Sequence, residues 1–315
     1  MKRKEYIGII LGGIYGLIYR LLCERNDEII FDFNIFSISF IWILPIAIGL
    51  IPILISNQAI QNSKAKQVLY PVGSVLVFFI IALVSRLEDL VCILILTIPF
   101  TVVAGISGLI FSQIIKKRKS NKLFSIVLIP FLLVPVESNF SNKSKSYTID
   151  SKIIINATKK DIWSKIIEVP EIQDSEYEYG FYNYIGIPRP VKSELKEIEG
   201  EEYRIGHFTD NLKLFEKITR IDTLSFVEFK IELEKSILRD IPTDKHILQS
   251  DYFKFKNISY NLTEINVESV ELQLNCEYSI ESRMNWYANF WAKGIIKDFE
   301  EKLLKVLKKK IENGS

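Results

Sequence analysis

The chain has 315 residues, 48% hydrophobic and 25% charged, with a mean hydropathy of +0.17 and a net charge of +2. Apolar and charged residues are segregated: residues 1–136 carry 13 Lys and Arg against 7 Asp and Glu, net +6, and the remainder carries 27 against 31, net −4. A mildly acidic C-terminal part lacks the phosphate-neutralising charge that nucleic-acid binding needs, and three dispersed cysteines (Cys23, Cys92, Cys276) argue against a disulfide framework or a Cys-based metal site.

Five apolar segments occupy residues 6–22, 35–56, 68–85, 90–115 and 123–136. A bilayer span needs about 20 apolar residues, which the second and fourth satisfy fully and the fifth only marginally. Met1, Lys2, Arg3 and Lys4 followed by an apolar run look like a signal peptide, but no small-x-small cleavage site follows Leu22. The first segment therefore reads as an uncleaved span. Pro45, Pro52, Pro71, Pro99 and Pro130 fall inside these segments, as bilayer helices tolerate. Gly12, Gly13, Gly16, Gly105 and Gly108 serve either as small faces for close packing or as lipid-compatible filler. No ionisable residue lies deep in a segment, which argues against an ion pathway.

Lys and Arg are retained in the cytoplasm. With the N-terminus inside, residues 1–5, 57–67 and 116–122 place ten basic residues in the cytoplasm, against Arg20, Arg25 and Arg86 on the other side. Lys122 and Glu137 bracket an uncharged run without the polar face of an interfacial helix, so the fifth segment is expected to cross. The C-terminal domain then lies outside the cytoplasm. The abundance of Ile, Lys and Asn suits an AT-rich bacterial genome, hence a bacterial inner membrane.

Residues 138–146 form a polar linker, and residues 147–315 a domain long enough to bury its own core. Ile149, Ile153 and Ile155 share a period-2 phase and predict a strand over 147–155. Thr158 is the expected N-cap of a helix over 159–168, stopped by Pro170, with a short second helix at 172–177. Strands are expected at 198–204, 207–208, 212–221, 224–233, 252–262 and 265–280, with one-sided alternation in Val227, Phe229, Ile231 and in Leu272, Leu274, Cys276, Tyr278. Cys276 falls in that inward phase and is expected to be a buried free thiol. A helix over 285–311 carries Ala288, Ala292, Ile295, Phe299, Leu303 and Val306 along one stripe. The lysines of 302–310 read as its solvated face and favourable end.

The order of elements resembles the START/SRPBCC superfamily of polyketide cyclases, aromatase-like proteins and lipid-transfer domains. The resemblance rests on four features: the opening Ile153–Trp163 run, Glu199-Gly200 with Arg204 and Gly206, the Phe215–Ile218 strand, and the closing amphipathic helix. It covers residues 147–311 and implies an α+β helix-grip fold, an antiparallel sheet around a long C-terminal helix, here preceded by an all-α transmembrane bundle. Such a fold leaves a cavity for an apolar or amphipathic ligand, oriented by a few polar groups.

Glu216, in phase with Leu212, Leu214 and Ile218, is an inward carboxylate that needs a partner, either Arg204 or a ligand. His207 and His246 have no Ser or Cys tied to them by motif. The aromatic segment 177–190, with Tyr184 and Arg189, is a lid, a bilayer contact or a packed loop. Trp286, Tyr287, Phe290 and Trp291 at the head of the last helix either face the cavity or pack as core. Ligand-binding roles are thus expected for Arg204, His207, Glu216, Tyr184, Arg189, Trp286, Tyr287 and Trp291. No catalytic residue, metal ligand or cofactor is assigned. The expected partners are the bilayer and a hydrophobic small molecule or lipid, with no protein partner named. The reading is a membrane-anchored binding or transport module. Its rivals are a cyclase- or hydrolase-type enzyme using Glu216 and His207 as acid and base, and a ligand sensor coupled to a membrane partner.

Overall fold

The computed structural model describes residues 2–24, 37–55, 60, 62–117, 121–137 and 142–314. They divide into two compact units, Met1–Asn142 and Lys143–Ser315. Residues 35, 36 and 56 of the second apolar segment, and residues 138–141 of the linker, lie outside the described residues.

The described residues of the first unit are mainly helical. It comprises α1 (Lys2–Glu24), α2 (Leu44–Ile55, entered through a π-helical turn Ser39–Ile43), α3 (Lys64–Val84), α4 (Leu90–Lys117) and α5 (Ile129–Glu137, entered through a 3₁₀ turn Asn121–Leu128). Only α3 and α4, among the described residues, are long and apolar enough to cross a membrane; Tyr6–Leu22, Ser39–Ile55 and Ser125–Val134 are shorter apolar stretches. Glycine marks close helix crossings. A Cβ at Gly12 would lie 2.9 Å from the Ile48 carbonyl oxygen, and one at Gly108 2.1 Å from that of Gln67. The small-face reading of these two glycines therefore holds.

Hydrogen bonds among the described residues register the helices. Arg20 Nε donates to Glu88 Oε1 at 2.5 Å, with both side chains buried, joining the end of α1 to the α3–α4 turn. The Tyr15 and Tyr19 hydroxyls donate to the carbonyls of Val127 and Pro130. Glu137 accepts from the Ser39 backbone N–H at 3.0 Å, a carboxylate at a helix start where free N–H groups and the helix dipole favour it. The 121–137 segment thus runs alongside α1 in the same direction and ends level with the start of α2.

In the second unit seven strands form one antiparallel sheet in the order β1-β7-β6-β5-β4-β3-β2. They are β1 (Ser144–Ile155), β2 (Pro190–Ile198), β3 (Glu201–Phe208), β4 (Lys213–Asp222), β5 (Phe226–Ile231), β6 (Phe253–Asn266) and β7 (Ser269–Glu281). Glu199 and Gly200 take positive φ, 57° and 80°, and make the two-residue turn that joins β2 to β3. The opening helix α6 (Lys159–Ile167) is capped by Thr158, whose hydroxyl accepts from the Asp161 N–H, and buries Ile162, Ile166 and Ile167. The expected helix at 172–177 is instead a 3₁₀ turn, Asp174–Glu176, followed by a single turn α7 (Phe181–Tyr184). β2 was not expected. Its sequence, PVKSELKEI, is an edge strand with too few apolar residues to alternate visibly.

The last helix α8 (Asn285–Glu312) packs on the inner face against β1 and β7. Its buried positions are Ile296, Glu300, Lys302, Leu303, Leu304, Val306, Leu307, Lys310 and Ile311. The expected stripe over 288–306 therefore holds only in part, and the helix is enclosed on most sides in its C-terminal half. Lys302 and Lys310 are not solvated. Their stems are buried while the ammonium groups reach Asn183 and Asp298, and Glu176, respectively. The dense core lies there, with Ile155, Val227, Phe229, Leu262, Leu272, Leu304 and Leu307. Each such side chain contributes roughly 1.5–3 kcal/mol by leaving water.

Candidate functional site

The other half of the inner face includes partly exposed apolar side chains. Two smaller apolar clusters lie there, one around Ile149, Cys276, Tyr278, Ile280 and Ile296, the other around Leu212, Leu214 and Ile231. Ile258 touches both, and the main core as well. It sits mid-strand on β6, opposite Cys276 on β7 and Phe229 on β5, both buried. Ile258 nonetheless keeps accessible surface, as do Phe208, Leu233, Leu238 and Phe255 around it. The cause lies in the ladder: β5 pairs with β6 only between Phe226↔Asn261 and Phe229↔Ile258, then leaves it. The sheet parts at Ile258, beside the half-buried first turns of α8.

Two polar groups border this region. Arg204 and Glu216 are cross-strand partners on β3 and β4, with Nε to Oε2 at 2.5 Å and both side chains buried. The guanidinium also donates to the Ile166 carbonyl at 2.8 Å and lies 3.9 Å above the Phe229 ring. Burial by itself lowers the Arg204 pKa, but the Glu216 charge outweighs it and the net direction is upward. The second group was missed in the sequence. Glu300 of α8 is buried, accepts from the Ser151 hydroxyl of β1 at 2.6 Å through Oε2, and has no hydrogen-bond partner at Oε1. Burial pushes its carboxyl up to about 7, against the opposing Ser151 hydrogen bond. The signal was present: Ile296, Leu304, Leu307 and Ile311 lie at i, i+8, i+11 and i+15, and Glu300 fills the missing i+4 position.

Other expected site residues are placed differently. His207 is one residue out of phase with Arg204, so its side chain leaves by the opposite face of the sheet, where it bonds Glu194 at 3.1 Å. It does not line the interior. Burial lowers the His207 pKa, with Glu194 opposing. Arg189 is buried as a brace, donating to the Tyr179 hydroxyl, the Ile172 and Pro190 carbonyls and the Asp174 carboxylate. Tyr184 and Trp286 are 75% and 69% exposed, and so do not line the interior either. Tyr287 and Trp291 are half-buried, each edge-on to its exposed neighbour, Trp286 and Phe290. His246 lies in the turn Asp244–Leu248, outside the strands. Cys276 is a buried free thiol as expected, pushed by burial up to about 12.

No protein-family model matches the chain, and no curated protein does. Solved structures that resemble it include norcoclaurine synthase from Thalictrum flavum in complex with dopamine and hydroxybenzaldehyde (10% identity, 55% of this chain, 90% of that one, TM-score 0.34). Others are an aromatase/cyclase from Streptomyces sp. R1128 (10%, 54%, 95%, 0.33) and an uncharacterised protein from Bacillus thuringiensis (12%, 52%, 98%, 0.32). The C-terminal unit has the helix-grip fold. Strand order, the all-antiparallel ladder and the closing helix carry that assignment, since likenesses this distant cannot.

Proposed function

We propose that the chain is a membrane-anchored binding or transport module of START/SRPBCC type, holding a hydrophobic or lipid-like ligand between the sheet and α8. The observation that carries this reading is Ile258, an inward aliphatic residue in mid-sheet that three apolar clusters surround without covering. A site that is largely apolar with a few convergent polar groups suits such ligands. Arg204 with Glu216 on one wall, and Glu300 with Ser151 on the other, are its polar anchors.

The enzyme reading with Glu216 and His207 as acid and base loses its geometry. The two side chains leave the sheet on opposite faces and cannot reach one reacting atom.

The anchoring and topology are part of the same proposal. The charge bias puts the N-terminus in the cytoplasm, and the 121–137 segment running parallel to α1 supports an extracytoplasmic C-terminal domain. The test is to purify the full chain into nanodiscs of one synthetic phospholipid and analyse the extract by mass spectrometry. A retained apolar molecule other than the nanodisc lipid is expected, and Ile258→Trp should lose it. An extract holding the synthetic lipid alone would refute the reading.

A further inference from the structure

Exposed aromatics of the C-terminal unit lie as a ridge along one side of α8. Trp286 and Phe290, one turn apart on α8, are 69% and 67% exposed. The next position on that i+4 ridge is Gly294, where the Tyr182 ring docks so closely that a Cβ would lie 2.1 Å from its hydroxyl. Further along, Lys302 holds Asn183 at 2.9 Å, so the 180–184 turn lies along the same side of the helix. Phe181, edge-on to Tyr182, and Tyr184 are 56% and 75% exposed there. Single exposed apolar side chains need no explanation, but four large exposed aromatics along one side of a helix mark a contact surface.

The ridge begins where the chain enters the unit. Asn285 Nδ2 donates to the Lys143 carbonyl at 2.8 Å, so Trp286 stands beside the residue that precedes β1. Five residues lie between Glu137, the last residue of α5, and Lys143, a covalent reach of about 20 Å. Lys143, Lys145 and Lys293 are exposed around this end, with Glu281 the acid closing β7. Trp and Tyr concentrate at bilayer interfaces, their rings among the acyl chains and their polar edges wet, and nearby lysines suit phosphate headgroups.

We propose that this ridge, Trp286–Phe290–Phe181–Tyr184, docks into the interfacial layer of the bilayer that holds the N-terminal helices, with phospholipid as its partner. The docking rests on the anchoring reading and is independent of what the grip binds. It also sets an orientation, because the hairpin at Val267 lies at the far end of β7, about 40 Å away along a strand of 13 residues.

The test uses spin labels on the full chain, its native cysteines replaced by alanine, in nanodiscs of phosphatidylcholine and phosphatidylglycerol. Labels go at positions 290, 184, 267 and 80, where Ile80 is an exposed residue of α3 and Val267 is 84% exposed. Relative accessibility to oxygen and to a water-soluble nickel chelate reads depth. The proposal expects lipid-like values at 80, 290 and 184 and an aqueous value at 267. A lipid-like 80 with 290 and 184 as aqueous as 267 overturns the docking and leaves the anchoring intact. An aqueous 80 overturns the anchoring, and the docking with it.

Discussion

Arg204 and Glu216 face each other across β3 and β4, Nε to Oε2 at 2.5 Å, both buried, with the guanidinium over the Phe229 ring and bonded to the Ile166 carbonyl of α6. Removing one partner leaves the other as an unpaired buried charge. Glu216→Leu is expected to cost about 3–5 kcal/mol. Arg204→Met combined with Glu216→Leu should recover most of it, because neither charge then remains. Thermal melts of the full chain in detergent check this, and equal melting temperatures for the single and double variants would contradict it. If the pair also anchors the ligand, the recovered double variant should still retain less of it than the native chain.

Glu300 gives the stability a pH dependence. In the folded chain it holds its proton up to about pH 7, whereas an unfolded glutamate releases it near ~4.3. Between those values the folded state carries the additional proton, so stability is greatest at the acid end of the window and falls as pH rises through 7. The loss between pH 5 and 8 is about 2 kcal/mol. Glu300→Gln, which can keep the Ser151 contact without a charge, should flatten this dependence and stabilise the chain at pH 8. Parallel pH profiles for the two proteins would show that Glu300 is not the titrating group.

The grip was legible where one face of a strand is buried and the other wet. Val227, Phe229 and Ile231, or Leu272 through Tyr278, alternate because β5 and β7 are interior strands covered on a single side. β2 was not legible, since an edge strand shares less of the core. Period-2 reasoning placed Glu216 inward and would have placed His207 outward. The sequence reading instead split β3 at Gly206, and the phase was lost there. Glu300 was missed, and Lys302 and Lys310 misread, for one reason. Charged residues on a helix are taken as its wet face, but a helix gripped on most sides has almost none in its second half. Trp286 erred in the opposite sense, as a large aromatic assumed to be buried.

The proposed side of the membrane rests on two features, the ten basic residues of segments 1–5, 57–67 and 116–122 and the 121–137 segment that ends level with the start of α2. Alkaline phosphatase fused at Ser315 should be active, and a fluorescent protein that matures only in the cytoplasm should stay dark there. The reverse pattern would place the domain in the cytoplasm.

Cys276 should resist labelling. It is buried among Ile149, Tyr278, Ile280 and Ile296, and its thiol is pushed up to about 12, so little thiolate exists at neutral pH. Maleimide modification of the native chain at pH 7.5 should spare it until denaturant is added. Rapid native labelling at this position would contradict the packing.

Ile258 tests the proposed accessible apolar interior against its own cross-strand neighbour, Cys276. In a chain with Cys23, Cys92 and Cys276 replaced by alanine, Ile258→Cys should react with a small uncharged thiol reagent in the folded state. Cys276 in the otherwise native chain should not. Added palmitate should slow the Ile258→Cys reaction at least tenfold by occupying the site. A thiol at 258 as inert as Cys276, or one whose rate ignores palmitate and every other apolar probe, would show a closed interior and contradict the binding function.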